Sequence, residues 1–167
     1  MSTERIFAEQ GHLCERPGQG RAAGSVESQT MELEPGTDIA SADDIALLVR
    51  EFYTRIYDDD VLRPMFAEVA GIDLEEHLPK MERFWGTVLF GQRLYQGNPM
   101  AVHRRLDSLK PLKEVHFIRW LSLFRLTVDR LFAGPTAERA KQAAAQINHN
   151  IEATLQRQRE LLQGEKP

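Results

Sequence analysis

The 167-residue chain has one cysteine, Cys14, so no internal disulfide can staple it. A cytoplasmic location in a reducing compartment is expected from that. Long apolar runs are also missing. No stretch of about 18 apolar residues is present to form a transmembrane helix. The N-terminal MSTERIFAEQGHLCERPGQG has no uninterrupted apolar segment of the kind a secretory signal needs. Positive charge is not in excess either: the formal net charge is −4 and the pI is near 5.8, whereas a nucleic-acid binder carries a basic face. Neither nucleic acid nor membrane is an expected partner.

The familiar catalytic signatures are absent as well. The chain contains no Walker loop, no G-x-G-x-x-G and no H-E-x-x-H. It has no paired Glu-x-x-His motifs for a di-iron bundle, and no nucleophile elbow. Cys14 and His12 lie close together near the N-terminus, but two ligands on a floppy segment make a poor metal site. With its only thiol there, a Cys–His nucleophile is not expected.

What is there divides into two unequal parts. Residues 1–40 hold five of the eleven glycines, many Ser, Thr and Glu, and no sustained periodicity; they read as a flexible extension. From Ser41 the pattern turns helical, and residues 41–163 read as one domain, large enough to bury a core without disulfides. Ser41 and Asp44 form a capping-box pattern. Ile45, Leu48, Val49, Phe52, Tyr53 and Ile56 then make one apolar stripe at helical spacing. DDDVLRP closes that helix. A second stripe runs Leu74, His77, Leu78, Met81, Phe84, Trp85, Val88 and Leu89, with Gly91 as its stop. A short helix is predicted from Pro99 to about Leu106, with proline in the first turn where its missing N–H costs nothing. A fourth stripe holds Phe117, Trp120, Leu121, Phe124, Val128 and Leu131, ended by Gly134-Pro135. The last contains Ala140, Ala143, Ala144, Ile147, Ile151 and Leu155, in a helix reaching to about Leu162. No segment alternates with period 2 for long, so the fold class is all-α, with five or six helices.

Tyr53, His77 and Trp120 sit on faces that should point inward, and His103 lies beside Met100 and Leu106 on the short helix. Each alone is an ordinary core residue that needs one hydrogen-bond partner. Four of them on four helices suggest a polar pocket inside a helical shell. With thiol, paired-carboxylate and metalloprotease chemistry set aside, one histidine serving a cofactor that brings its own equatorial ligands fits best, and haem is such a cofactor.

Four segments sharpen this. FYTRIYDDDVLRPMF (52–66), HLPKMERFW (77–85), LYQGNPMAVH (94–103) and HFIRWLSLF (116–124) together resemble a group III truncated haemoglobin. The resemblance covers about residues 42–156, in the family's order and at family-like intervals. It implies a shortened globin, a two-over-two helical sandwich around haem b. Carried over by position, His103 resembles the proximal iron ligand, Tyr53 the distal tyrosine, His77 the distal histidine and Trp120 the tryptophan of the distal pocket. Phe66 matches the phenylalanine packed on the porphyrin face, and Met81, Phe84 and Trp85 would line or support the distal wall. Lys80, Arg104 and Tyr95 are candidate partners for the haem propionates. The implied function is binding of O2, or of NO or CO. The alternatives are a haem enzyme for NO dioxygenation or peroxide-linked chemistry, which needs an external reductase, and a helical partner or sensor module without haem. The family core has no need of the 40-residue extension.

Overall fold

The computed structural model describes residues 36–164; the expectations placed on Cys14, His12 and most of the N-terminal extension lie outside them. Among the described residues there are five α-helices, one π-helical turn and no strand. The helices are α1 (Ala42–Tyr57), α2 (Leu74–Phe90), α3 (Pro99–Leu109), α4 (Glu114–Leu131) and α5 (Pro135–Gly164). In the main body α1 pairs with α2 and α4 with α5, and the pairs meet through α1 on α4 and α2 on α5. This is the expected two-layer sandwich.

The capping box forms as the sequence predicts. Ser41 Oγ accepts from the Asp44 amide at 3.2 Å, and the Asp44 carboxylate accepts from the Ser41 amide at 2.9 Å. All six residues of the α1 stripe are buried. Each fully buried aliphatic or aromatic side chain contributes roughly 1.5–3 kcal/mol, and this stripe is the centre of the core. Phe52 meets Trp120 and Phe124 edge-on, with ring centroids 5.2 and 5.1 Å apart, and Trp85 stacks on Phe124 at 4.6 Å. One aromatic cluster thus joins α1, α2 and α4.

Between α1 and α2 the chain does something the periodicity does not announce. The Val61 and Leu62 amides donate to Asp59 Oδ1 at 3.0 Å each, and Asp59 is buried and paired with Arg119 of α4. Burial pushes the Asp59 carboxyl up, but Arg119 and the two amides outweigh it and hold it below the usual carboxylate range. A π turn, Pro64–Val69, follows; the Ala70 amide donates to the Met65 carbonyl five residues back, at 3.0 Å. It buries Met65 and half-buries Phe66. The Tyr57 hydroxyl donates to the Ile72 carbonyl at 3.0 Å and ties the far end of this segment to α1.

Packing among the described residues begins before Ser41. Ile39 is a core residue, 1% exposed. The Ala133 amide donates to the Gly36 carbonyl at 3.1 Å. Asp38 caps α5 from the far end of the chain: its carboxylate accepts from the Thr136 amide at 2.9 Å and the Ala137 amide at 2.8 Å. These are free donors of the first helical turn, normally met by a neighbouring side chain. Here Gly134 stands just before the helix at φ 148°, and a Cβ there would fall 2.5 Å from Asp38 Cγ. Gly134→Ala is therefore expected to destabilise the protein by about 1–3 kcal/mol, the range for a forced rare backbone conformation. A urea-unfolding midpoint unchanged from wild type would show that the Asp38 contact gives way freely.

Candidate functional site

A cavity of about 730 Å³ opens between α1, the π turn, α2, α3, the N-terminal half of α4 and the middle of α5. Its polar residues include three histidines, one on each of α2, α3 and α4, and their hydrogen bonds separate their roles. On α3, Asn98 caps the helix by accepting from the Ala101 amide at 3.1 Å, and Pro99 occupies the first turn. One turn on, His103 Nδ1 lies 2.7 Å from the Pro99 carbonyl. A carbonyl only accepts, so Nδ1 carries the proton and Nε2 keeps its lone pair. Burial pushes the His103 imidazolium down, and the Pro99 bond opposes this only in part, so the neutral ring is favoured. A neutral imidazole whose second nitrogen is held by a carbonyl is what a metal asks of a histidine ligand.

His116 is the reverse case. Its Nδ1 accepts from the Lys113 amide at 3.0 Å, completing the cap of α4, so its Nε2 carries the proton and is a donor. His77, on α2, has its Nε2 2.7 Å from the Tyr53 hydroxyl. Tyr53 is buried, and burial first, then the charges of Tyr57 and Tyr95, pushes its phenol well above the ordinary value; it stays protonated. The Tyr53 hydroxyl and the His77 ring answer one another across 24 residues, which meets the demand that a buried polar group find a partner.

The walls are apolar. Phe66 lies edge-on to Tyr53 at 6.0 Å, and Phe84 lies edge-on to Trp85 and to Tyr95 at 5.5 and 5.2 Å. Met81, Trp85 and Trp120 line the same space, and Trp120 also stacks on Phe124 at 5.5 Å. Lys80 and Tyr95 line it too; Lys80 is exposed and pairs with Glu76 at 3.8 Å. Arg104 does not border the cavity. It follows His103 directly, and one residue on a helix is a turn of about 100°, which carries it to the exposed side of α3. Arg83, one turn beyond Lys80 on α2, borders the cavity in its place. Sequence reading also missed His116 and Met65. Spacing from Trp120 was a signal for His116, which lies one turn earlier on the same stripe; nothing in the periodicity marked Met65, which the π turn brings inward.

The donor set can be tested against possible guests. Among the described residues no cluster of three His, Cys, Asp or Glu is placed to hold a bare metal ion. The His103 Nε2 lone pair in a largely apolar slot instead fits a planar group that brings its own equatorial nitrogens. The residues present therefore fit haem.

All three cavity histidines are pushed below their ordinary value, His77 and His116 by burial first and then by nearby lysines. The unfolded chain thus binds more protons than the folded one as pH falls through 6.5. Their contribution is present above that value and is lost as pH falls through the folded pKa values. Haem-free protein is expected to unfold at lower urea at pH 5.5 than at pH 7.5. Equal midpoints would mean that the three rings are as solvated as in the unfolded chain.

A family model for bacterial-like globins matches residues 37–156 of the chain. The group 3 truncated haemoglobin of Campylobacter jejuni is 34% identical to it over 91 residues, which span 53% of this chain and 69% of that protein. The crystal structure of group III truncated haemoglobin from Campylobacter jejuni superposes with a TM-score of 0.64 at 26% identity, covering 72% of this chain and 94% of the other.

Proposed function

This chain belongs to the bacterial-like globin family, as a group III truncated haemoglobin and a haem globin, and we propose that it holds haem b through His103 and binds O2, NO or CO. The observation that carries this reading is the single lone pair left on His103 beside the cavity, with Nδ1 engaged by Pro99. When bound, haem would supply an iron able to take up a diatomic gas. His103 Nε2 would hold the iron, and the Pro99 carbonyl, bonded to Nδ1, would fix the orientation and basicity of its ring. Phe66, Met81, Phe84 and Trp85 line the cavity with apolar surface that would keep water from the bound gas. Lys80, Arg83 and Tyr95 border the cavity and would offer cationic or hydroxyl partners to the two carboxylates of the group.

The gas site is built from Tyr53, His77 and Trp120. Tyr53 has one proton for two uses. With Nε2 of His77 unprotonated, the phenol donates to it; with the His77 proton on Nε2, the ring donates to the Tyr53 oxygen, and the phenol proton is free to point at the gas. His77 thereby sets which way the Tyr53 donor faces. Each neutral hydrogen bond to the gas contributes about 0.5–1.5 kcal/mol.

The direct test is absorption spectroscopy of protein purified from cells supplied with a haem precursor. Ferric, ferrous and CO-bound forms should each show a Soret band. A folded, colourless protein that refuses added haemin would end this reading. Mixing the oxygenated form with NO separates gas binding from the enzymatic alternative, since only the latter shows repeated turnover with an added reductase.

A further inference from the structure

The helix that carries His103 is the one least built into the fold. No residue of α3 is fully buried, and Val102 and Leu109 are exposed. The helix packs on α5, with Met100 and Leu106 against the small cluster formed by Met65, Leu112, Phe117, Ile151 and Leu155. Its start is fixed by the Asn98 cap. Its end is fixed by one polar constellation. Arg159 of α5 donates through Nε to Asp107 Oδ2 and through Nη2 to Asp107 Oδ1, both at 3.1 Å. The same Nη2 donates to the Leu112 carbonyl at 2.9 Å, and the Leu112 amide returns to Asp107 Oδ1 at 2.8 Å. One planar guanidinium therefore ties α3, the α3–α4 connection and α5 together. The Asp107 side chain is 12% exposed and that of Arg159 34%. A two-pronged bond of this kind fixes orientation as well as distance, which a single point contact does not.

Asp107 stands four residues after His103, one helical turn along the same face. A three-turn helix moves nearly as a rigid rod, so whatever sets the position of Asp107 also sets the position of the imidazole. We propose that Asp107 and Arg159 are positioning residues for His103, and that their clamp determines how firmly the protein keeps its haem. This rests on His103 being the axial ligand. No side chain of α3 is fully buried, and its apolar hold on the core rests on the half-buried Met100 and Leu106, so the clamp carries a larger share of fixing the helix than a routine surface pair would.

The variants are Arg159→Ala, Arg159→Lys and, as control, Arg157→Ala, which removes a like charge from the exposed face of α5. Three readings are taken: the rate of haemin loss to an excess of a competing apo-globin, the iron–histidine stretching band of the ferrous protein, and thermal stability of the haem-free chain. Arg159→Ala is expected to lose haemin about tenfold faster and to shift or broaden the iron–histidine band. Arg159→Lys keeps the charge but not the fork, and should fall between; Arg157→Ala should match wild type. Wild-type haemin loss and an unchanged band in Arg159→Ala would overturn the proposal, even with a lower melting temperature, because that is the signature of a merely structural pair. If Arg159→Ala does not fold, the same two readings on Arg159→Lys decide. If the wild-type chain takes up no haem, the functional reading fails, and the clamp is judged by amide exchange in the haem-free protein. Faster exchange confined to α3 in Arg159→Ala supports it, and unchanged exchange there overturns it.

Discussion

His103→Gly should yield a folded protein without a Soret band. The folding half of that expectation comes from α3, which contributes no buried side chain to the core; circular dichroism should show wild-type helicity. The haem half comes from the tautomer argument. Of the three cavity histidines, His103 alone has its second nitrogen committed to a pure acceptor. His116 is committed the other way, and His77 is engaged with Tyr53. Loss of a group that only supports a metal ligand typically weakens metal binding about 10–100-fold, so loss of the ligand itself should exceed that. Adding free imidazole to His103→Gly should restore the Soret band by filling the vacated space. A variant that keeps haem as tightly as wild type would mean that another residue is the axial ligand, with His116 then the one to change next.

Tyr53→Phe should raise the O2 dissociation rate about 2- to 12-fold, the range spanned by one neutral hydrogen bond of about 0.5–1.5 kcal/mol. The substitution keeps the ring that packs edge-on against Phe52 and Phe66 at 5.5 and 6.0 Å, so the core should hold. It also strands His77 Nε2. That ring is half-buried and has solvent to turn to, so the stability loss should be small. His77→Ala separates the two effects. If His77 sets the direction of the Tyr53 donor, removing it frees the phenol, and O2 should leave more slowly or at an unchanged rate. Stopped-flow mixing with excess CO reads both rates. Equal rates in wild type and Tyr53→Phe would mean that the phenol donates only to His77 and that Trp120 carries the stabilisation.

Much of this was legible in the chain, for reasons that differ by element. The α1 stripe reads cleanly because six apolar side chains share one face and all six are buried. The starts of α1 and α3 read equally well, since a side-chain cap is a contact within four residues. The Tyr53–His77 pair was half legible: each residue, placed on an inward face, demanded a partner, but periodicity does not say which. The π turn was not legible, because a bond to the fifth residue back breaks the 3.6-residue repeat that marks a helix. Asp59 with Arg119 and Asp107 with Arg159 lie 60 and 52 residues apart, and such pairing is set by the packed fold. Arg104 stands outside the cavity lining for the opposite reason. It is next to His103 in sequence, and on a helix that proximity points it elsewhere.

The cap that Asp38 places on α5 bears on where this chain can be shortened. A version beginning at Ser41, the first residue with a helical signal, would keep every helix and still be incomplete. It would leave the first amides of the longest helix without their acceptor and open a hole where Ile39 stood. Ends that are far apart in sequence are one joint in space, so a minimal globin cut from this protein begins no later than Gly36.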